Sequence, residues 1–163
     1  NTLTMVEIEA KIKLSEGEFQ RIFQILGKPD FRKQKNAIYQ IGETFFRIRD
    51  QENKTFITFK GKRQDKKLNC REEIEFSISP NDHVEDFFLA LGFSNPFVYV
   101  KKRADVKFND CIVCLDILSE NGFYGEVEGD EQAVNETLQK LNLVEKPIEC
   151  RSYQEILQNE NRI

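Results

Sequence analysis

Charged and apolar residues alternate along several short stretches of the chain. Three stretches contain two glutamates separated by one apolar residue: residues 6–9 (Val-Glu-Ile-Glu), residues 73–76 (Glu-Ile-Glu-Phe) and residues 125–128 (Gly-Glu-Val-Glu). Side chains two positions apart in a β-strand point to the same face. Each stretch is therefore predicted to form a strand with carboxylates on one face and mainly apolar side chains on the other.

Basic residues continue this alternation in the other predicted strands. Arg47 and Arg49 alternate with apolar residues, and Lys101 and Arg103 share one face of a later run. The commonest source of such a pattern is an antiparallel sheet with one face in water. Here the polar face is almost purely ionic, although glutamate and lysine are disfavoured in strands. This composition favours strands whose ionic faces line an enclosed, water-filled lumen.

The pattern as a whole predicts an α+β fold. Eight predicted strands are enough to enclose a small lumen, and if they close into a barrel with the ionic faces inward, the apolar faces would pack against helices outside it. The predicted strands span residues 5–14, 37–41, 44–50, 54–62, 70–78, 98–108, 111–118 and 123–129. The length of the chain and the absence of a linker composition predict a single domain over residues 1–163.

Four helices are predicted between or after these strands. Capping boxes place two of them directly after Ser15 and Ser152, because a glutamate follows each serine at the third position. The other two are predicted after Pro80 and after Asp130, where apolar residues recur at helical spacing. These apolar stripes indicate core packing rather than ligand binding.

Composition limits the partners and the chemistry. With 24 basic and 28 acidic residues and a net charge of −4, neither nucleic acid nor an anionic membrane is expected as a partner. No apolar run is long enough to span a bilayer and no signal peptide is recognisable, so the expected location is cytoplasmic. Cys111 and Cys114 point to opposite faces of a predicted strand, so the four cysteines are expected to be free thiols. His83 is the single histidine, which disfavours histidine-based catalysis.

A lumen of this charge density cannot be a dry core. Its charges must be neutralised by one another, by water, or by a ligand that carries both signs. A metal-bound polyphosphate is such a ligand, because Mg²⁺ and Mn²⁺ prefer carboxylate oxygens while arginine and lysine bind phosphate oxygens. The sequence therefore predicts a site for a divalent cation together with a polyphosphate.

The N-terminal segment Glu7-Ile8-Glu9-Ala10-Lys11 resembles the E-x-E-x-K motif of the CYTH superfamily, the triphosphate tunnel metalloenzymes. Further charged motifs follow in the family's order across nearly the whole chain: Arg47-x-Arg49, Lys60-x-Lys62, Arg71-x-Glu73-x-Glu75, Lys101-x-Arg103, Leu115-Asp116 and Glu126-x-Glu128. The resemblance implies an eight-stranded antiparallel closed β-barrel with helices packed outside it. This barrel forms a tunnel in which basic residues grip a triphosphate and glutamates hold Mg²⁺ or Mn²⁺. It is also consistent with a homodimer.

The resemblance implies roles for individual residues. The implied metal ligands are Glu7, Glu9, Asp116, Glu126 and Glu128. Glu73 and Glu75 are implied as supporting carboxylates. The implied substrate-binding residues are Lys11, Arg47, Arg49, Lys60, Lys62, Arg71, Lys101 and Arg103. The implied catalytic residues within that set are Lys11, Arg49, Lys101 and Arg103.

The C-terminal segment Arg151-Ser152-Tyr153, followed by Ile156 and Leu157, looks like the tail of class IV adenylyl cyclases and their archaeal or bacterial relatives. The resemblance therefore implies conversion of ATP to cAMP and pyrophosphate. One alternative is an inorganic, thiamine or nucleoside triphosphatase, in which water attacks the terminal phosphate. The other is a non-catalytic polyphosphate- or nucleotide-binding protein, which the acidic residues disfavour because phosphate binding alone requires cations.

Overall fold

Antiparallel strands form most of the fold in the computed structural model, which describes residues 5–64, 70–81, 83–119 and 122–160, with the backbone alone for residues 5–7. The strands are β1 (Met5–Glu7), β2 (Glu9–Leu14), β3 (Arg32–Ile41), β4 (Thr44–Gln51), β5 (Lys54–Lys60), β6 (Arg71–Ile78), β7 (Phe97–Phe108), β8 (Cys111–Ile117) and β9 (Phe123–Glu128). The helices are α1 (Glu16–Ile25), α2 (Val84–Ala90), α3 (Glu131–Lys140) and α4 (Tyr153–Glu160). The α+β prediction and the positions of all four predicted helices are confirmed.

The strands form one sheet in the order β1-β6-β5-β4-β3-β7-β8-β9-β2, and every neighbouring pair is antiparallel. The predicted strand 5–14 is divided at Ile8 into β1, which pairs with β6, and β2, which pairs with β9. The sheet therefore corresponds to eight predicted strands, but its hydrogen-bonded order has two ends. The closed barrel is not confirmed, although the two end strands are consecutive segments of the chain.

Two other strands differ from the prediction. β3 begins at Arg32 rather than at residue 37, because its first half is polar on both faces and gives no alternating signal. β5 ends at Lys60 rather than at residue 62. The Gly61 amide still donates to the Glu72 carbonyl at 2.8 Å, but the regular register stops there. Lys62 consequently no longer shares a strand face with Lys60.

The apolar face of the sheet packs against three helices. Ile12 on β2 and Leu115 on β8 join Ile22 of α1 and Leu138 of α3 in the largest buried cluster. A second, aromatic cluster joins β3 and β4 to α2, where the rings of Phe46 and Phe88 lie 4.5 Å apart. Burial of this much apolar surface is the main source of the fold's stability. External packing is therefore confirmed for α1, α2 and α3.

Helix α4 lies on the opposite, charged face of the sheet, which carries Lys11, Arg47, Lys101 and Glu126. The buried residues Tyr153 and Ile156 of α4 pack against Leu118 and Tyr124, which share that face with Asp116 and Glu126. The prediction that all helices pack outside is therefore wrong for α4. The physical reason is that, near Leu118 and Tyr124, this face carries apolar and aromatic side chains instead of charged ones. The apolar side of α4 buries its surface against them.

Ser15 and Glu18 form the predicted capping box of α1, since each side chain bonds the backbone of the other residue. Ser152 and Glu155 do the same for α4, at 2.6 and 3.2 Å. Among the described residues, no helix is both long and apolar enough to cross a bilayer.

Candidate active site

The charged face borders a cavity of about 220 Å³ that receives side chains from seven strands and from α4. The predicted site residues that line it are Glu9, Lys11, Arg47, Arg49, Lys60, Arg71, Glu73, Glu75, Lys101, Arg103, Glu126 and Glu128. Strand alternation explains this convergence, because successive members of each motif are two residues apart and the antiparallel register places them opposite one another. Lys11 faces Glu126, for example, and Arg47 faces Thr58, which in turn faces Glu75.

Three predicted site residues have a different placement. Lys62 is exposed, does not line the cavity and bonds Glu43 at 2.6 Å, because β5 ends before it. Asp116 is completely buried and does not line the cavity. The backbone of Glu7 pairs with Arg71 in β1, but its side chain lies outside the described residues.

Asp116 is the centre of a buried ionic network behind the cavity. Its carboxylate accepts hydrogen bonds from Lys101 Nζ at 2.9 Å and from Arg103 Nε at 2.7 Å. Arg103 Nη2 donates to the same carboxylate at 2.5 Å, and Tyr153 Oη donates at 2.6 Å. Three of these hydrogen bonds end on Oδ2 and one ends on Oδ1. The network holds Lys101 and Arg103 in fixed orientations, and the role of Asp116 as a metal ligand stays a prediction.

The electrostatics of this network follow from burial and from close opposite charges. Although burial acts in the opposite direction, Arg103 and Lys101 hold the pKa of Asp116 far below its usual range. Burial lowers the pKa of Lys101 to about 7, and the like charge of Arg103 adds to this effect. Asp116 and Glu126 outweigh burial at Arg103 and raise the pKa of its guanidinium. Arg103 thus stays charged, while Lys101 can change its protonation state near neutral pH.

Three carboxylates of the cavity come from the paired strands β2 and β9, and β9 also pairs with β8. Glu9 lies opposite Glu128 in the register, and Glu126 pairs with Lys11 on one side and Cys114 on the other. Glu126 Oε2 accepts from Arg103 Nη2, and its Oε1 lies 4.0 Å from Lys11 Nζ, beyond hydrogen-bonding distance. Carboxylate oxygens in such a group are the ligands that Mg²⁺ and Mn²⁺ prefer. Glu9, Glu126 and Glu128 therefore fit a divalent cation chemically.

The lining residues of β4, β5 and β6 form a basic wall, in which two carboxylates support the cations. Lys60 Nζ lies 3.0 Å from Glu73 Oε2. Glu75 accepts from Thr58 Oγ1 at 2.6 Å and lies 3.6 Å from Arg47 Nη2. Both glutamates of β6 thus contact cations that come from β5 and β4.

Arg49 is a further cation of this wall. Its Nε donates to Asn36 Oδ1 at 2.8 Å. Burial lowers the pKa of Arg49, and the like charges of Arg47 and Arg103 lower it further. Such a group of buried cations attracts an anion, because bound negative charge would offset their mutual repulsion.

Tyr153 is a site residue that the sequence did not identify as part of the lumen. Two ammonium groups lie over its ring, with Lys11 Nζ 4.4 Å and Lys101 Nζ 4.6 Å from the ring centre. Cations are attracted to the face of an aromatic ring. The sequence feature that could have indicated Tyr153 is its place in the Arg151-Ser152-Tyr153 tail. Tyr99 and Asn36 were missed as well, although Tyr99 lies two residues before Lys101 on the same strand face.

The sequence of this chain is similar to a known domain family and to a protein of that type. The CYTH domain matches residues 5–153. A protein of Methanocaldococcus jannaschii that is provisionally named an adenylate cyclase is 28% identical over 174 residues, which cover 93% of this chain and 98% of that protein.

Two solved structures illustrate the likeness of the fold. A Pyrococcus horikoshii OT3 protein has a TM-score of 0.80 at 23% identity, with 91% of this chain and 98% of that chain covered. A provisionally named adenylyl cyclase from Hippeastrum, described as having a dominant triphosphatase activity, has a TM-score of 0.71 at 16% identity, with 94% and 96% covered. These structures share the fold, and the domain match covers most of the present sequence. On this basis the chain belongs to the CYTH domain family.

Proposed function

We propose that this protein is an enzyme that processes a triphosphate substrate with a divalent cation in the charged cavity. The main support is that one cavity of about 220 Å³ is lined both by the basic wall and by an acidic wall, Glu9, Glu126 and Glu128. Arg47 and Arg103 are close enough to Arg49 to affect it electrostatically. A phosphate chain would bind these cations with one side and a metal ion with the other.

The acidic wall would hold Mg²⁺ or Mn²⁺ through Glu9, Glu126 and Glu128. A divalent cation supplies charge neutralisation there and polarises the phosphoryl group that reacts. Glu7 is a further candidate ligand because it precedes Glu9 in the family motif. Asp116 is assigned a positioning role instead, since its four hydrogen bonds hold Lys101, Arg103 and Tyr153.

The basic wall would bind and orient the phosphates. Arg47, Arg49 and Lys60 come from adjacent strands and face the same cavity. Positive charges positioned before the reaction stabilise the negative charge that grows on the leaving phosphate, at no cost of reorganisation. Phosphoryl transfer depends mainly on such positioning and electrostatic stabilisation rather than on covalent help from the protein.

The first candidate reaction is that of a class IV adenylyl cyclase. The ribose 3′-hydroxyl oxygen of ATP bonds to the α-phosphorus, the bond from this phosphorus to the oxygen bridging to the β-phosphorus breaks, and pyrophosphate leaves. The hydroxyl proton passes to a base or to water, and cAMP is the second product. Two observations support this candidate: the provisional name of the archaeal relative, and the contribution of Ser152 and Tyr153 from the cyclase-like tail to the cavity.

The second candidate is a triphosphatase, in which a water oxygen bonds to the terminal phosphorus and the bond from this phosphorus to its bridging oxygen breaks. Orthophosphate and the shortened phosphate chain are released, and a proton of the water passes to a base or to solvent. The character of the cavity favours it, because Ile38, Phe45, Tyr99 and Tyr153 are the apolar or aromatic members of a lining that is otherwise polar or charged among the described residues. An inorganic phosphate chain needs no nucleobase pocket. The triphosphatase activity described for the Hippeastrum protein, which shares the fold, is consistent with this candidate.

Product analysis separates the candidates. The purified protein is incubated with ATP, tripolyphosphate or thiamine triphosphate, each with Mg²⁺ or Mn²⁺, and nucleotide, orthophosphate and pyrophosphate are quantified. Formation of cAMP with an equal amount of pyrophosphate supports the cyclase, and orthophosphate without cAMP supports the triphosphatase. Tight triphosphate binding without any product would contradict both and indicate a non-catalytic binding protein.

Lys60 and Lys62 provide a matched pair for testing the site itself. Both are lysines near the end of β5, but Lys60 lines the cavity and Lys62 is exposed beside Glu43. Lys60→Met should lower kcat/KM about tenfold or more, because a charge-assisted contact to phosphate is lost. Lys62→Met should leave kcat/KM unchanged within about twofold. Equal effects of the two substitutions would contradict the placement of the substrate in this cavity.

A further inference from the structure

Cys114 lies beside the acidic wall. It pairs with Glu126 in the β8–β9 register, and it is 2% exposed. One ligand atom each of Cys114, Glu126 and Glu128 lie within 4.8 Å of one another. Cys111, three residues earlier, belongs instead to the apolar cluster on the other face. A thiol and two carboxylates thus form one compact group of metal-ligating side chains.

A second cavity, of about 290 Å³, adjoins this group. Cys114 and Glu128 line it, and so does Gln34 from β3. Gln34 is 3% exposed, and its Nε2 donates to Gln51 Oε1 at 2.6 Å. Its Oε1 is buried without a hydrogen-bond partner. A buried oxygen without a partner is costly, and Gln34 carries one such oxygen on a side chain that lines the same cavity as Cys114 and Glu128.

We propose that Cys114, Glu126 and Glu128 form a mixed thiolate and carboxylate site for a thiophilic divalent cation such as Zn²⁺ or Cd²⁺. This inference rests on the proposed function in one respect: it takes Glu126 and Glu128 to be ligands of the Mg²⁺ or Mn²⁺ used in turnover. A thiophilic ion at Cys114 would occupy their carboxylates and inhibit the enzyme. Thiolate ligands select Zn²⁺ and related ions, whereas Mg²⁺ and Mn²⁺ favour oxygen ligands.

The geometry permits such a site after small side-chain movements. Ligand atoms about 2.0–2.3 Å from one tetrahedral ion lie about 3.5 Å apart, and the three observed atoms lie within 4.8 Å. Arg103 contacts Glu126 Oε2, while Glu126 Oε1 has Lys11 at 4.0 Å, so one oxygen can turn toward an ion. On binding, the Cys114 sulfur–hydrogen bond breaks, the proton passes to water and a sulfur–metal bond forms without oxidation or reduction.

Cd²⁺ is the probe for the test, because a cadmium–thiolate bond gives an ultraviolet charge-transfer absorption. Cys70 and Cys150 are partly accessible, so both are first replaced by serine to remove their contribution. In this background we expect one Cd²⁺ per chain with the thiolate absorption. Cys114→Ser should abolish the absorption, and the matched control Cys111→Ser, on the other face of the same strand, should retain it.

A second variant examines the carboxylates without removing the thiol. Glu128→Gln should weaken Cd²⁺ binding about tenfold or more, measured by competition with a chelator. Circular dichroism and thermal unfolding identify any variant that fails to fold. The inference is overturned if the background protein shows no thiolate absorption, if Cys114→Ser retains it, or if folded Glu128→Gln binds Cd²⁺ as tightly as before.

Measurements of turnover separate this inference from the proposed function. Turnover with Mn²⁺ but no cadmium–thiolate absorption would overturn the thiol site and leave the proposed function intact. The absorption together with no turnover of any triphosphate would support the thiol site and contradict the proposed function. When both are present, Cd²⁺ should inhibit the background protein, and Cys114→Ser should be inhibited at least tenfold less strongly.

Discussion

Replacing Asp116 by asparagine should destabilise the protein strongly while leaving the shape of the side chain nearly unchanged. Asp116 is fully buried and supplies negative charge to Lys101 and Arg103, which are 2% and 9% exposed. Removal of one partner from a buried ionic network leaves uncompensated charge in a low-dielectric interior. Such changes typically cost about 3–5 kcal/mol of unfolding free energy.

The contacts that remain after Asp116→Asn determine where in that range the loss of unfolding free energy falls. Arg103 keeps its contact with Glu126, so the uncompensated charge falls mainly on Lys101. Because the pKa of Lys101 is already about 7, this side chain can release its proton near neutral pH and avoid part of the penalty. We expect a loss of about 3 kcal/mol at pH 7 and a larger loss at pH 6, where more of Lys101 remains protonated.

Urea unfolding followed by circular dichroism measures this loss. Asp105→Asn is the matched control, because Asp105 lies on the adjacent strand β7 in a partly exposed ion pair with Arg32. That pair should contribute less than about 1 kcal/mol. If Asp116→Asn and Asp105→Asn lose the same unfolding free energy at both pH values, the buried network does not have the role assigned to it.

Three further outcomes are expected. Tyr153→Phe removes the hydrogen bond to Asp116 at 2.6 Å and should cost about 1–3 kcal/mol in urea unfolding; a loss below 0.5 kcal/mol would contradict its role. Lys101 has a lower pKa when folded than when unfolded, so the unfolded chain binds more protons between about pH 7 and 9. Unfolding free energy should therefore rise with pH across that window, by at most about 1.4 kcal/mol per unit, and rise less in Lys101→Met. Ser15→Ala breaks a capping box and should lower the melting temperature through a loss of about 1 kcal/mol, whereas an unchanged melting temperature would show that the box adds nothing.

Local patterns were sufficient for most of the elements and for most of the residues that line the cavity. Alternation of charge and apolarity depends only on which residues are two apart, so it identified the faces of Arg47 and Arg49 without any knowledge of the partners. Capping boxes such as Ser15 with Glu18 are equally local and correctly marked the helix starts. The ordered family motifs then indicated which charges would meet in one cavity.

Predictions of side-chain contacts were less accurate where the contacting residues lie far away in the sequence. Asp116 has the alternation expected of a metal ligand, but its four donors come from β7 and α4, which the sequence does not place beside it. Lys62 lies two residues after Lys60, as strand alternation requires, but alternation determines the side-chain face only within a strand, and β5 ends at Lys60. Both differences arise because side-chain function depends on neighbours that pairing and packing supply.

The sequence by itself determined that ionic and apolar faces would separate, since the period of a strand fixes this from consecutive residues. Tertiary structure alone decided that the N-terminal segment divides at Ile8 and pairs with both ends of the sheet. It also decided that α4 packs on the charged face and brings the Tyr153 ring against the ammonium groups of Lys11 and Lys101. These features follow from long-range hydrogen bonding and from the burial of apolar surface, which select among arrangements that the local pattern allows equally.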